Sequence, residues 1–102
     1  MAIIEAIRAK FTNNAFEFSK HATDQSILRE ITVQEIREAV SQGEIIEDNP
    51  DDKYGPSCLR LGFTCAKRPI HIQCSYPARP LIKIITVYEP SAIEWIDYRF
   101  RK

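Results

Sequence analysis

Apolar residues recur at helical spacing near the start of the chain and at strand spacing in its second half. A helix is predicted over residues 2–11, because its apolar residues share one stripe and its charged residues lie off that stripe. The stripe consists of Ile3, Ile4, Ile7 and Phe11. We expect this helix to pack on the domain; the alternative is that it covers a groove of a partner.

Two further helices have recognisable starts. Ser19 suits the N-cap of a helix over residues 20–30, because its hydroxyl can accept hydrogen bonds from the free amides of the first turn. Thr32 and Glu35 stand at the two positions of a capping box, in which each side chain accepts from the backbone amide of the other residue. This box predicts a third helix over residues 33–42.

The third helix has a predicted buried stripe of Val33, Ile36 and Val40. Ile31 and Ile36 occupy the two positions of a hydrophobic staple around its start. Gly43 is the expected stop, because glycine enters the left-handed conformation without steric cost.

Strands are predicted in the remainder, from four short runs rich in apolar and β-branched residues. The runs are GEIIEDN, SCLRLGFTC, PIHIQCS and LIKIITVYE. In the second run Leu59, Leu61, Phe63 and Cys65 share one face; in the third, Ile70, Ile72 and Cys74 lie opposite His71 and Gln73. The fourth run is the most β-prone and is the predicted central strand. A short helical turn is expected at residues 92–96.

The order of elements predicts an α+β fold in one domain, residues 1–102, with the amphipathic helix within residues 1–14. Short connections favour antiparallel pairing, because a parallel crossover needs about a dozen residues. We therefore expect two to three N-terminal helices on one face of a roughly four-stranded antiparallel sheet.

Composition indicates the expected location of the protein and the expected state of its cysteines. No apolar run approaches the roughly 20 residues of a membrane span, and the start MAIIEAIRAKF is too charged for a secretory signal. A cytoplasmic protein is therefore expected. Cys58, Cys65 and Cys74 are predicted to be buried free thiols, since their number is odd and no CxxC pattern occurs.

Charge is unevenly distributed along the chain. Residues 1–52 hold five Lys/Arg and eleven Asp/Glu, and residues 53–102 hold nine and three, so the halves carry formal charges of −6 and +6. Such asymmetry marks either a basic face for nucleic acid or two halves that complement each other in the folded domain. Overall neutrality weakens the first interpretation.

One helical segment carries polar residues at steps of four, His21, Gln25 and Arg29. On a helix these side chains form one slanting stripe. The stripe is either a solvated face or the rim of a groove in which a neutral imidazole and a guanidinium meet an anion.

His71 lies in a predicted strand, with Gln73 on the same face and Thr86 and Tyr88 on one face of the last strand. A helix packed across that face would bring His21 and His71 into one groove. RNA cleavage by a 2′-hydroxyl needs a base, an acid and a phosphate stabiliser, roles that histidine, tyrosine and arginine can fill without metal. The alternative is that His71 is a structural residue of the strand.

Several runs in order resemble the DUF4258 family over residues 19–95. They are HATDQSILREIT, EIREAVSQGEIIED, YGPSCLRLG, RPIHI and TVYEP, followed by Trp95. That family is similar in predicted fold to small RelE/ParE and BrnT-like toxins, several of which are metal-independent ribonucleases held inactive by an antitoxin. The resemblance matches His21, Arg29, Arg68, His71 and Tyr88 by position. The family usually has an arginine where this chain has Gln25, which removes a charge from the implied site.

Two functions of different class follow. A metal-independent, RNA-directed nuclease or toxin-like domain would use His21, His71, Arg29 and Tyr88 for catalysis, and Gln25, Arg68, Gln73 and Thr86 for substrate binding. A non-catalytic module would bind a protein or nucleic acid, with help from the N-terminal helix. The expected partners are RNA, a cognate antitoxin or other protein, or a second copy of the chain. No membrane, cofactor or metal is expected.

Overall fold

The computed structural model, which describes residues 3–53, 55–77 and 80–102, is an α+β fold with three helices and a mixed five-stranded sheet. The helices are α1 (Ile3–Thr12), α2 (Lys20–Leu28) and α3 (Val33–Ser41). The strands of the sheet are β1 (Phe16–Phe18), β2 (Glu44–Asn49), β3 (Ser57–Phe63), β4 (Pro69–Ser75) and β5 (Ile82–Tyr88). Two short strands, β6 (Trp95–Ile96) and β7 (Phe100–Arg101), form a separate pair.

Both predicted N-caps are confirmed. The Ser19 hydroxyl accepts from the Ala22 amide at 3.0 Å. The Thr32 hydroxyl accepts from the Glu35 amide at 3.1 Å, and the Glu35 carboxylate accepts from the Thr32 amide at 3.0 Å, which completes the capping box. These local bonds satisfy amides that a helix start leaves without partners. The helix starts are therefore fixed by sequence-local chemistry.

Gly43 does not act as the left-handed stop that the sequence predicts. Its φ is not positive, and α3 ends at Ser41 with Gln42 as its C-cap. Space explains the glycine instead: a Cβ there would lie 2.7 Å from the Ala39 carbonyl oxygen and 3.0 Å from Nη2 of Arg60. Gly43 is therefore needed for a close approach between α3 and β3.

The sheet has the strand order β1-β5-β4-β3-β2. The four predicted strands pair antiparallel, and β1 runs parallel to β5 with Phe16 beside Ile82 and Phe18 beside Ile84. The prediction of a purely antiparallel four-stranded sheet was therefore incomplete. It missed β1 because that strand has three residues and a partner near the other end of the chain. The middle strand is β4, so the prediction that LIKIITVYE is central was wrong.

The main core lies between the sheet and the helices. Helices α2 and α3 pack on the sheet, whereas α1 packs mainly on α3 and contributes Ile7 and Phe11 to the core. Val33 is 45% exposed, so its predicted place in the buried stripe of α3 was wrong, because the residue begins the helix at its outer edge. The side chains of Ile3 and Ile4, also predicted to be buried, lie outside the described part of the structure.

The opposite face of the sheet is covered by the C-terminal segment. Residues 92–94 form a turn and β6 pairs antiparallel with β7, so the helical turn predicted at residues 92–96 was wrong. The two-stranded pair carries Trp95 toward the sheet, where it is 5% exposed. Leu59 and Leu61 on this face are also buried, so β3 is buried on both sides.

The prediction for the cysteines is confirmed in part, and the structure distinguishes the two interpretations of the charge asymmetry. Cys58 and Cys74 are buried free thiols as predicted, but Cys65 is exposed, because β3 ends at Phe63 and Cys65 enters the turn before β4. The two charge halves complement each other through ion pairs, which favours the second interpretation of the asymmetry. These pairs are Arg68–Glu35, Arg99–Glu44 and Arg101–Glu47.

Candidate functional site

His71 is the centre of a buried polar group beneath the C-terminal segment. The side chain has 0% exposure. Its Nε2 lies 2.6 Å from the Tyr98 carbonyl oxygen and its Nδ1 lies 3.0 Å from the Tyr88 hydroxyl. Because a carbonyl can only accept, Nε2 carries the proton and Nδ1 accepts from Tyr88. Both ring nitrogens are therefore in use within the protein.

Trp95 and Arg101 cover this group from outside. The Trp95 ring meets the His71 ring edge-on, with centroids 4.5 Å apart. The Arg101 guanidinium lies 4.7 Å from the centre of the Trp95 ring and donates two hydrogen bonds, of 2.7 and 3.1 Å, to Glu47 of β2. The C-terminal segment is thus fastened to the sheet edge directly above the histidine.

Burial sets the protonation of the pair. It lowers the pKa of His71, although the hydrogen bond to the Tyr98 carbonyl opposes that effect. Burial also raises the pKa of Tyr88. Both shifts favour the neutral form, because removing a charge from water costs free energy. The pair is therefore neutral at physiological pH and acts as a satisfied hydrogen-bond group.

His21 does not join His71. It is exposed on α2, whose Ala22 packs in the same core as Ile70 and Ile72. Because side chains alternate along a strand, His71 points to the opposite face of the sheet. The predicted open groove shared by both histidines is therefore not formed, since the α2 side and the His71 side are separated by the sheet itself.

Gln25, Gln73 and Thr86, which were predicted to bind substrate, lie against the backbone or neighbouring side chains of the fold. Gln25 accepts from the Val87 amide at 3.2 Å, a bond that arginine could not replace because it has no acceptor. Gln73 donates to the Ser57 hydroxyl at 3.3 Å and pairs with Thr86 across β4 and β5. The departure of Gln25 from the family pattern thus has a structural use in this chain.

Arg68 joins four segments of the fold. It donates to the carboxylates of Glu35 (3.0 Å) and Glu89 (2.6 Å) and to the carbonyls of Arg29 and Glu30 (3.0 Å each). These bonds tie the end of α2 and the start of α3 to β4 and β5. Because its guanidinium is used in these four bonds, Arg68 has a structural role. Arg29, in contrast, has an exposed side chain at the C-cap of α2.

A cleft of about 560 Å³ opens between α1 and α3, away from every predicted site residue. Its lining includes Arg8, Phe11, Arg37, Glu38, Val40 and Ser41.

Within residues 3–53, 55–77 and 80–102, no three His, Cys, Asp or Glu side chains are grouped as metal ligands. In the same part of the chain, no helix has the length and apolar character of a membrane span.

Sequence reasoning missed Arg60, which is 1% exposed on β3. Its Nη2 donates to the Val40 carbonyl at 3.0 Å, whereas Nε and Nη1 have no partner among the described residues. The available signal was the alternation of β3, which places Arg60 on the same face as Cys58 and Gly62. A charged residue between two small ones on a core-facing strand indicates a special role.

The architecture and the buried histidine define a small α+β domain whose mixed sheet is covered on both faces. The chain belongs to the DUF4258 family, described as a domain of unknown function, and the match spans residues 18–89, more than two thirds of its length. Searches of curated proteins and of solved structures found no significant match.

Proposed function

We propose that this chain is a non-catalytic protein-binding domain. The observation that carries the proposal is an exposed apolar surface on the segment that seals His71. This C-terminal apolar patch consists of Ile93, Ile96 and Phe100, which are 83%, 50% and 63% exposed. Exposed apolar residues grouped in this way are typical of interaction surfaces.

The two-stranded pair has distinct inner and outer sides. Ile96 and Phe100 are direct cross-strand partners, so their side chains share the outer side, while Trp95 occupies the inner side. Phe63, itself 36% exposed, meets the Tyr98 ring in the turn between β6 and β7, with centroids 6.3 Å apart. The apolar surface therefore continues from the pair to the C-terminal end of β3.

A second copy of the chain is the proposed occupant of the patch. The formal net charge is zero, so two copies do not repel each other at long range. A twofold dimer places one patch against the same patch of its partner, which buries apolar residues on both sides. Hydrophobic burial then supplies the free energy of association.

Light scattering coupled to size exclusion tests this proposal over a dilution series. We expect twice the monomer mass at concentrations above about 10 µM, as for a Kd in the micromolar range. The double variant Ile96→Ser/Phe100→Ser is expected to be monomeric. Its matched control is Ile27→Ser/Leu28→Ser, which removes two apolar side chains that are 72% and 80% exposed on α2. A wild-type monomer at every concentration, or equal mass for both double variants and wild type, contradicts the proposal.

The hydrogen bond between Tyr88 and His71 favours a second candidate function, metal-independent RNA cleavage. A toxin-like domain would act through this cleavage. We propose that, in this alternative, the Tyr88–His71 pair moves protons, and that the exposed Arg29, which forms the C-cap of α2 and whose charge acts on Tyr88, contacts the phosphate. RNA reaches the pair only after the C-terminal segment moves aside, because His71 is fully buried.

Expression without a partner tests this alternative through growth and the integrity of cellular RNA. Under this alternative wild type arrests growth and cleaves RNA, and Tyr88→Phe does neither. Tyr98→Phe is the control, because it keeps the main-chain carbonyl that His71 uses. Intact RNA in cells that accumulate folded wild-type protein excludes cleavage.

A further inference from the structure

Two arginines approach each other near the C-terminal end of α3. Arg60 reaches this point from β3 and donates to the Val40 carbonyl at 3.0 Å. Arg8 reaches it from α1 and donates to the Gly43 carbonyl at 2.9 Å. Burial lowers the pKa of Arg60, and the charge of Arg8 acts in the same direction. Two positive charges therefore share one largely buried region.

Three buried donor nitrogens of this pair have no hydrogen-bond partner in the described part of the chain. They are Nε of Arg8, and Nε and Nη1 of Arg60. Leaving a buried donor without a partner costs about 1–3 kcal/mol, and more for a charged group. Such groups in native proteins are nearly always satisfied. The arrangement therefore requires acceptors beyond the main-chain carbonyls of Val40 and Gly43.

The charge of the pair also needs compensation. Arginine keeps its proton in proteins, so burial cannot neutralise it. The C-terminal end of α3 offers roughly half a negative charge through its dipole, against two positive charges. Among residues 3–53, 55–77 and 80–102, no carboxylate forms an ion pair with either arginine. The remaining positive charge is between one and two units.

The thiols of Cys58 and Cys74 are the acidic groups that act on Arg60. They are direct cross-strand partners on β3 and β4, and their interaction lowers the pKa of Cys58 and raises that of Cys74. A thiol is neutral near pH 7 unless its pKa falls below that value. A Cys58 thiolate is thus the competing internal source of negative charge.

We propose that Arg8 and Arg60 form a binding site for a phosphate-sized oxyanion. An oxyanion supplies several acceptors and up to two negative charges, which matches the three unpartnered donors and the uncompensated charge. Arg8 and Val40 line the cleft between α1 and α3, which gives the ion a route from solvent. Gly43 leaves room for the Arg60 guanidinium, since a Cβ would lie 3.0 Å from its Nη2. This site is independent of the proposed protein-binding function.

Thermal unfolding of the full chain in inorganic phosphate tests the site, with chloride at equal ionic strength and pH as the reference. Phosphate stabilises proteins in general through exclusion from their surface, an effect that rises steadily with concentration. A bound ion instead raises Tm with the logarithm of its concentration, which gives a steep early rise that flattens above the Kd and reaches roughly 5–10 °C at about ten times the Kd. Adenosine monophosphate, titrated in parallel, distinguishes a free ion from a phosphate group carried by a larger ligand.

The variants are Arg60→Met and Arg8→Met, with Lys20→Met as the control because Lys20 is exposed on α2 and its side chain is 94% accessible. We expect both arginine variants to lose the early rise and to keep the steady one, and Lys20→Met to keep both. Arg8→Met, at a partly exposed position, decides the matter if Arg60→Met does not fold. Absence of the early rise in wild type, as expected if a Cys58 thiolate neutralises Arg60, overturns the proposal. So does its survival in an arginine variant that folds.

Discussion

Replacing Arg68 should destabilise the fold far more than replacing an arginine of an ordinary surface ion pair. Arg68→Met removes four hydrogen bonds, two to carboxylates and two to main-chain carbonyls. It leaves Glu35 without the guanidinium that, together with the Thr32 amide, lowers its pKa. The same change also disconnects the α2–α3 junction from β4 and β5. Arg68→Lys keeps the charge but not the planar fork that reaches all four acceptors.

The magnitude follows from bond type and exposure. A hydrogen bond to a charged group contributes about 1.5–3 kcal/mol when buried, and an exposed ion pair at most about 1 kcal/mol. The side chains of Arg68 and Glu35 are 27% and 25% accessible, and that of Glu89 is 47% accessible. After discounting for solvent, we expect Arg68→Met to lower the free energy of unfolding by about 2–4 kcal/mol, and Arg68→Lys by roughly half of that.

Urea unfolding followed by far-ultraviolet circular dichroism measures this difference by linear extrapolation. Arg101→Met is the matched control, because Arg101 pairs with Glu47 while its side chain is 65% accessible. We expect that control to cost about 1 kcal/mol. If Arg68→Met costs no more than Arg101→Met, Arg68 does not hold the four segments together and the argument for a structural role fails. A substrate-binding arginine would show this small effect on stability.

Three other predictions concern stability. Gly62→Ala places a Cβ 1.9 Å from the Ala39 carbonyl oxygen, so we expect a loss of about 3 kcal/mol or more, and an unchanged Tm contradicts this. Burial lowers the pKa of His71, so as the pH falls the unfolded chain is protonated at this residue before the folded chain is. The stability that His71 contributes above about pH 6.5 is therefore lost as the pH falls through its lowered pKa. His71→Gln should flatten the urea-derived stability profile between about pH 7 and 5, whereas an equally steep profile refutes the assignment. The hydrogen bond to Asp48 raises the pKa of Tyr76 to about 12. The stability that this hydrogen bond contributes is therefore lost as the pH rises from about 10 toward that value. Tyr76→Phe should show no such loss in the same titration.

The helix starts were predictable because their signals are local. Ser19 and Thr32 each bond to an amide three residues on, so the sequence shows both partners together. The four longer strands were also predictable, from runs of β-branched and apolar residues. The strand β1 was not, because its pairing with β5 depends on residues near the other end of the chain.

The candidate site was less predictable for the same reason. The Tyr88–His71 contact follows from strand pairing, and the sequence placed both residues on strands. The burial of His71 depends on Trp95, which the sequence placed in a helical turn, and on Tyr98, which follows that predicted turn. The role of Arg68 depends on carbonyls of Arg29 and Glu30, and main-chain acceptors leave no trace in side-chain patterns.

The parallel pairing of β1 with β5 has a consequence for synthesis on the ribosome. β1 is translated early, but the strand that aligns with Phe16 and Phe18 is translated only after β2, β3 and β4. Until β5 leaves the exit tunnel, the inner side of α2 also lacks the strand on which it packs. A nascent chain halted before Ile82 therefore presents uncovered apolar surface, which makes it a substrate for chaperones and proteases that the finished domain escapes.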